Sequence, residues 1–239
     1  MNPLHESRLV SGGYLVARPA ERAPFMDASL VPSRLQSASG CIAPIAPDTW
    51  AIDWASCDSA ERSAAATRFG VPPERLAELI AWATRRFDVD FLWPNVFLTL
   101  EAAREFCATF VPADSDAFVL GLALASEDVE DFLQQTAPPP REGETGLHRC
   151  LARRLPPAEG GVRLGSEVLG AELGGTFHSY LCNGLERTFA QQLGARPNEH
   201  GLFDDHALAR QCAAYAGHED VGAEPVPWLA WVLLEYPRA

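Results

Sequence analysis

The amino-acid sequence predicts an α+β fold, a single domain in which a mixed, mostly antiparallel sheet is covered by about six or seven helices. Two apolar runs, at 116–124 and 228–236, are bounded by polar residues and have the composition of strands buried inside a sheet. Helical patterns accompany them without the regular strand–helix alternation of a parallel sheet. The chain has 239 residues, 47% of them hydrophobic, which is enough for one sizeable core.

Residues 1–57 have a different character from the remainder. Prolines recur along this region and prevent any long regular element. The sequence therefore predicts an irregular, Pro-rich N-terminal lobe at 1–57, packed on an α+β domain at 58–239. Inside the lobe, residues 14–17 and 49–54 have strand-like patterns.

Helical signals dominate the next stretch. We expect a short helix that ends at Gly70, a second that opens at Pro72, and a third from Thr99 to Phe110. Trp82 falls at the edge of the apolar stripe of the second helix. The aromatic connector 91–97 contains a proline that interrupts pairing with a central strand.

Beyond the first buried strand, capping and turn residues divide the chain into short elements. An acid-rich first turn predicts a helix at 126–135, and three prolines mark a loop near 138–143. A helix near 146–155 precedes a bent strand or strand pair at 162–173, with Gly165 and Gly170 marking bulges or a turn. The pair Asp204-Asp205 is the candidate cap of the last helix.

The stretch 177–193 is predicted to be one amphipathic helix around which the domain is organised. Its leucines and phenylalanine recur every four residues at 181, 185, 189 and 193, so they would share one buried stripe. Gly194 follows at the position of a left-handed C-cap, and Pro197 prevents the helix from resuming.

On such a helix His178, Cys182 and Glu186 would stack one turn apart. They form the candidate catalytic set, with Cys182 as the nucleophile, His178 as its base and Glu186 as a possible orienting group. The alternative of a buried cysteine and a structural histidine stays open. A metal site would combine His178 and Cys182 with a residue of the following helix, namely Cys212, His206 or His218.

The charge of the chain narrows the classes of partner. The formal net charge is −13, and all 19 basic residues are arginine. Such a balance repels phosphate backbones, so we expect neither a nucleic-acid nor a membrane partner, whereas a basic protein would be attracted. Without lysine, Schiff-base chemistry and a P-loop lysine are excluded, and no cofactor is expected.

The six cysteines show no CxxC pair, and the N-terminus shows no signal-peptide pattern. We therefore expect a reduced, cytoplasmic protein without a structural metal. Trp50 and Trp54 lie in Pro-rich surroundings and are the candidate binding residues of the N-terminal lobe.

Two segments, FHSYLCNGLE at 177–186 and PVPWL at 225–229, resemble a group of uncharacterised bacterial proteins. The resemblance covers about the last third of the chain. It implies a bacterial origin and transfers no catalytic residue. Two functions follow from the residues: an acidic interaction protein, in its sharpest form an immunity protein that neutralises a basic toxin, or a small hydrolase or transferase that uses Cys182 and His178.

Overall fold

The structure is a computed structural model that describes residues 8–46, 71–137, 144–172 and 176–238. The predicted strand at 49–54, the short helix before Gly70 and the lobe boundary at 57 lie outside these ranges. Six α-helices and ten strands occupy the described ranges, which confirms the α+β class. The helices are α1 (Leu76–Arg86), α2 (Leu100–Phe110), α3 (Val129–Gln135), α4 (Gly146–Ala152), α5 (Glu186–Leu193) and α6 (His206–Ala216). The strands are β1 (Leu9–Ala17), β2 (Ala20–Glu21), β3 (Arg34–Leu35), β4 (Ile45–Ala46), β5 (Phe91–Leu92), β6 (Val96–Phe97), β7 (Phe118–Ala125), β8 (Val162–Ala171), β9 (Phe177–Ser179) and β10 (Trp228–Tyr236).

One antiparallel sheet organises the domain. Its order is β5-β6-β1-β7-β10-β8-β9, with β4 paired to β1, while β2 and β3 form a separate short pair. The two strands predicted to lie inside the sheet do so, because β7 is between β1 and β10 and β10 is between β7 and β8. Every residue of β7 is buried. A strand covered on both faces is expected to be continuously apolar.

β1 brings part of the N-terminal region into the middle of the sheet. It pairs with β7 over nearly its whole length, and the register shifts between Ser11 and Gly13. Gly13 has φ +98°, a conformation that favours glycine. The strand predicted at 14–17 is therefore the second half of a longer strand, whose first half contains glycines that obscure the pattern.

In the described part of the chain, four helices cover one face of the sheet. A 3₁₀ turn at Pro73–Arg75 leads into α1, and Thr99 caps α2 by accepting a hydrogen bond from Ala102 N. Trp82 is buried at the centre of an aromatic cluster and stacks on Phe91. The helical period places Trp82 at the edge of the stripe, and its burial depends on Phe91, which comes from a separate strand that the period cannot reveal. α5 and α6 continue this layer over β8 and β10.

The opposite face is covered by α3 and α4. Phe132 of α3 packs edge-on against Trp231 of β10, and the two lie in one hydrophobic cluster with Leu147 of α4. Successive strand residues point to opposite faces, so alternate residues of β10 supply the two layers. None of the helices in the described ranges has the length and apolar content that crossing a bilayer requires.

Two local predictions that position the functional region are confirmed. The register between β8 and β10 shifts next to Gly165, which has φ +145°, so the irregularity predicted there is present. The one predicted at Gly170 is wrong, because Gly170 pairs in regular register with both neighbouring strands. Asp205 caps α6 by accepting hydrogen bonds from the backbone N–H groups of Ala207 and Leu208. The strand predicted at 162–173 is one long strand, and its far end carries the edge strand β9.

Candidate functional site

The stretch 177–193 is divided into three parts, and the prediction of one continuous helix is wrong. β9 pairs antiparallel with β8, a turn occupies 180–185, and α5 begins only at Glu186. Gly184 has φ +64°, a left-handed conformation that interrupts helical geometry. The predicted end is confirmed, since Gly194 is a left-handed C-cap. Leu181, Leu185 and Phe189 are buried in one cluster, so the period of four identified core residues without identifying their secondary structure.

The residues of the candidate catalytic set consequently do not stack one turn apart. His178 lies on the edge strand, Cys182 lies in the turn, and Glu186 is the first residue of α5. Each has contacts from a different part of the chain. These contacts are Glu172 and Glu224 for His178, Ser39 for Cys182, and the backbone N–H of Asp27 for Glu186.

A glutamate lies fully buried beneath the N-terminal segment 36–43. Glu167, on β8 opposite Trp231, has no exposed surface. Its Oε1 accepts a hydrogen bond from Ser37 Oγ at 2.6 Å, and its Oε2 accepts one from Ala38 N at 2.9 Å. Burial raises the pKa of Glu167 to about 7, although hydrogen bonds from Ser37, Ala38 and Ser179 act to lower it. Glu167 thus holds the N-terminal segment against the sheet, and it exchanges its proton near neutral pH.

Cys182 lies beside the same segment. Ser39 Oγ donates to the backbone carbonyl of Phe177 at 2.7 Å and is 3.8 Å from Cys182 Sγ. Burial raises the pKa of the Cys182 thiol to about 11, against smaller opposing hydrogen bonds from Ser179 and Ser39. The thiol is therefore protonated at neutral pH, whereas nucleophilic catalysis requires a thiolate.

Three side chains on the other side of the turn form what we call the acidic rim: Glu172, His178 and Glu224. His178 Nε2 is 2.8 Å from Glu172 Oε1, and His178 Nδ1 is 3.6 Å from Glu224 Oε1. Thr176 donates a further hydrogen bond to Glu172 at 2.9 Å. The hydrogen bond from His178, followed by that from Thr176, lowers the pKa of Glu172. The imidazole is thus held between two carboxylates.

Asn183 connects the acidic rim to the turn. Its Nδ2 donates to Ser179 O at 3.3 Å, and its Oδ1 accepts from Glu224 N at 3.4 Å. Ser179 in turn accepts a hydrogen bond from Cys182 N at 2.9 Å. One asparagine therefore fixes the rim, the edge strand and the cysteine-bearing turn relative to one another.

A second exposed feature, which we call the Phe25 loop, spans residues 22–33. Arg22 closes its base, with Nη1 donating to Val31 O at 2.7 Å. Asp27 organises its tip by accepting from both the N–H and the hydroxyl of Ser29, at 2.9 and 2.6 Å. Phe25 is 66% exposed on this loop. The loop is therefore braced internally while it presents an aromatic ring to solvent.

The Phe25 loop is anchored on the start of α5. Asp27 N donates to Glu186 Oε1 at 3.0 Å, and Arg187 pairs with Asp27 Oδ2 at 2.9 Å. Hydrogen bonds from Ser29 and then from Arg187 lower the pKa of Asp27 to about 2. Glu186 is thus a structural anchor for this loop, and the loop and the acidic rim both attach to the short stretch 182–187.

The other candidate groups do not converge on this region. Cys212 is buried in the hydrophobic cluster beneath α6, and His206 Nδ1 is 3.0 Å from Ser166 Oγ. Within the ranges that the structure describes, no three His, Cys, Asp or Glu residues are placed to hold a metal ion. Trp50 and Trp54, the candidate binding residues of the N-terminal lobe, lie outside those ranges.

Sequence reasoning missed Glu167 and Phe25. A signal existed for Glu167, because it is the single carboxylate between Leu164 and Ala171 in a strand pattern, and a charge in such a position must find buried partners. No comparable signal marked Phe25, since its exposure depends on how residues 22–33 fold back on themselves.

No family model matches this chain, and comparisons with curated proteins and with solved structures likewise give no match.

Proposed function

We propose that this chain is a protein-binding protein with a basic partner, and that it binds through the Phe25 loop and the acidic rim. The sharpest form of the proposal is an immunity-type protein of the bacterial cytoplasm that neutralises a basic toxin. The free state of Cys41, Cys107, Cys150, Cys182 and Cys212 supports a reducing compartment. The observation that carries the proposal is the exposure of Phe25 on a braced loop.

An exposed aromatic ring on a braced loop is well suited to binding. Aromatic side chains are frequent among the few residues that dominate binding energy. A segment that is already fixed before contact also loses less conformational entropy on binding. Phe25 meets both conditions, because hydrogen bonds from Arg22 and to Asp27 hold the loop in the free protein.

The electrostatics favour a partner of opposite charge. The net charge of −13 produces a negative field around the protein. Several arginines are already engaged with carboxylates of the same chain, as in the pairs of Arg149 with Asp88 and of Arg210 with Asp128. The rim carboxylates Glu172 and Glu224 instead face a histidine. Arginine or lysine side chains of a partner could pair with these carboxylates. The acidic rim and the Phe25 loop both attach to the stretch 182–187, through Asn183 and Glu186.

The alternative, a thiol-dependent hydrolase or transferase, has weaker support. A nucleophilic cysteine needs a thiolate and a base within hydrogen-bond reach. Burial raises the pKa of Cys182 to about 11, and the ring of His178 is engaged by Glu172 and Glu224. Iodoacetamide alkylation at pH 7 tests this alternative. If Cys182 reacted faster than the exposed Cys41, the enzyme hypothesis would regain support.

Affinity capture with the full chain tests the binding proposal. Wild-type protein, F25A and V89A are immobilised separately and exposed to a lysate of the source organism, and retained proteins are quantified by mass spectrometry. Val89 is the matched control, because it is equally exposed, at 65%, on a turn elsewhere in the fold. A basic partner should be retained by wild type and V89A and bind F25A about 30-fold more weakly, which corresponds to about 2 kcal/mol.

The contribution of the acidic rim is tested with the partner found in this way. The double variant E172Q/E224Q should slow association and make it less sensitive to salt. The control E74Q/E159Q removes the same charge from two exposed glutamates elsewhere. Equal retention by wild type, F25A and V89A, or equal association rates for the two double variants, would contradict the proposed surface.

A further inference from the structure

We infer that Cys41 and Cys182 form a reversible redox site, at which a peroxide oxidises the exposed Cys41 and Cys182 then closes a disulfide. The inference concerns a covalent modification and does not depend on the identity of any partner. The two cysteines are 141 positions apart in the sequence, and in the folded chain both contact Ser39, whose hydroxyl is bonded to the edge strand β9.

Ser39 has contacts with both cysteines. Ser39 Oγ accepts a hydrogen bond from Cys41 N at 3.3 Å and lies 3.8 Å from Cys182 Sγ. A charge on Cys41 also acts to raise the pKa of the Cys182 thiol, as expected for neighbouring groups. One side-chain oxygen therefore contacts both residues that the disulfide would join.

The two thiols differ in exposure in the way that a peroxide-sensing pair requires. Cys41 is exposed, so a small oxidant reaches it directly, whereas Cys182 is partly buried. Susceptibility to oxidation rises with exposure and thiolate character, and sensor cysteines often stand next to a resolving cysteine. Cys41 is thus the residue that peroxide attacks, and Cys182 is the resolving residue.

Both cysteines lie in turns and not in paired strands. Cys41 lies in a short turn in which Ile42 N and Ala43 N both donate to Ser39 O, and Cys182 lies in the turn that precedes α5. A disulfide requires Cα atoms within about 7 Å of each other. We expect a movement of these two turns, with the paired strands unchanged, to bring the cysteines within that distance.

The reaction balances without a metal or cofactor. The Cys41 thiolate attacks hydrogen peroxide, the O–O bond breaks, and Cys41 becomes a sulfenic acid while the leaving hydroxide takes up a proton. Cys182 then loses its proton, its thiolate attacks the Cys41 sulfur, and the S–O bond breaks; the leaving hydroxide takes up the proton that Cys182 released and departs as water. Because burial keeps most of Cys182 protonated, this second step is the slower one at pH 7. In total, two thiols and one peroxide give one disulfide and two waters. A small dithiol returns both cysteines to the reduced state.

Peptide mapping tests the pairing. The reduced full chain is treated with equimolar hydrogen peroxide at pH 7, remaining thiols are blocked with N-ethylmaleimide, and the protein is digested with trypsin without reductant. Because every cleavable basic residue is arginine, Cys41 lies in peptide 35–62 and Cys182 in peptide 164–187. The expected product joins these peptides and has lost two hydrogens. Dithiothreitol should separate them.

Variants assign the cross-link, because peptide 35–62 also contains Cys57. The cross-link should persist in C57S and disappear in C41S and in C182S. In C182S the sulfenic acid should accumulate at Cys41 and be labelled by dimedone, whereas C41S should give no label at Cys182. Thermal unfolding of each reduced variant shows whether it is folded.

Three outcomes would overturn the inference. One is survival of the cross-link in C41S, which would assign it to another cysteine. Another is progression of wild-type Cys41 to sulfinic acid while Cys182 stays reduced. The third is the absence of any cross-link between the two peptides in wild-type protein under conditions in which Cys41 is oxidised.

Discussion

The buried carboxyl group of Glu167 should make the stability of this protein depend on pH in a defined direction. The substitution E167Q replaces the group with an uncharged amide of nearly the same shape. The amide oxygen can accept from Ala38 N, and the amide nitrogen can donate to Ser37 Oγ. The contacts that hold segment 36–43 are therefore retained, while the titration of the side chain is removed.

The sign and size of the effect follow from the pKa of Glu167 in the unfolded chain and in the folded protein. Burial raises the pKa of Glu167 from an ordinary 4.5 to about 7, so the folded state favours the protonated form. The stabilisation is fully present below pH 4.5, is lost as the pH rises toward 7, and stays lost above it. At 1.36 kcal/mol per pH unit, the difference between 4.5 and about 7 corresponds to about 3 kcal/mol.

Urea unfolding at pH 5 and pH 8 measures the effect. For each protein the free energy of unfolding at pH 5 is compared with that at pH 8, and the wild-type change is compared with the E167Q change, so that other titrating groups cancel. Most of the stabilisation of about 3 kcal/mol is lost between these pH values. The free energy of unfolding of the wild type should therefore fall by about 2 to 3 kcal/mol more than that of E167Q.

A substitution of the exposed Glu21 serves as the control. The variant E21Q should follow the wild type at both pH values. Equal pH dependence of wild type and E167Q would refute the reasoning. So would a carboxyl-carbon NMR titration of the folded protein that places the midpoint of Glu167 near 4.5.

Three further predictions concern local features. D205A should lower the free energy of unfolding by about 1 kcal/mol in urea titrations, because it removes the side-chain cap of α6. G121A should lower the free energy of unfolding by about 1–3 kcal/mol, because the added Cβ would lie 2.6 Å from a ring carbon of the buried Tyr236. The control is G40A, whose added Cβ meets no atom within 4 Å and which should change the free energy of unfolding by less than about 0.5 kcal/mol. Burial lowers the pKa of His148, so the folded state favours the neutral imidazole, and this stabilisation is lost as the pH falls below about 6.5. Between pH 7 and pH 5 the free energy of unfolding should therefore decrease less in H148N than in the wild type, measured by the same urea titration.

Elements with a strong local signal were predicted well. β7 and most of β10 are continuously apolar, which is the composition expected of strands covered on both faces inside a sheet. Thr99 and Asp205 cap helices because their side-chain oxygens accept from nearby N–H groups, which is a property of a few consecutive residues. Gly194 ends α5 for an equally local reason.

The main error, at 177–185, had a physical cause. Leu181 and Leu185 are apolar and four positions apart, which is compatible with a helix and with a turn that buries both. The outcome depended on β8, whose end offers unpaired backbone groups to Phe177–Ser179. Pairing between strands is a long-range interaction, and local periodicity does not contain it. Because the turn replaced the helix, Cys182 was placed next to Ser39 instead of being held one turn from His178.

The sequence by itself determined the α+β class, the inner strands, the helix caps and the negative charge, because each depends on composition or on a few neighbouring residues. The tertiary structure alone decided that Glu167 is buried under segment 36–43, that Phe25 is exposed, and that Cys41 and Cys182 share a serine. The physical reason is common to all three. Each depends on contacts between segments that only the folding of the sheet brings together.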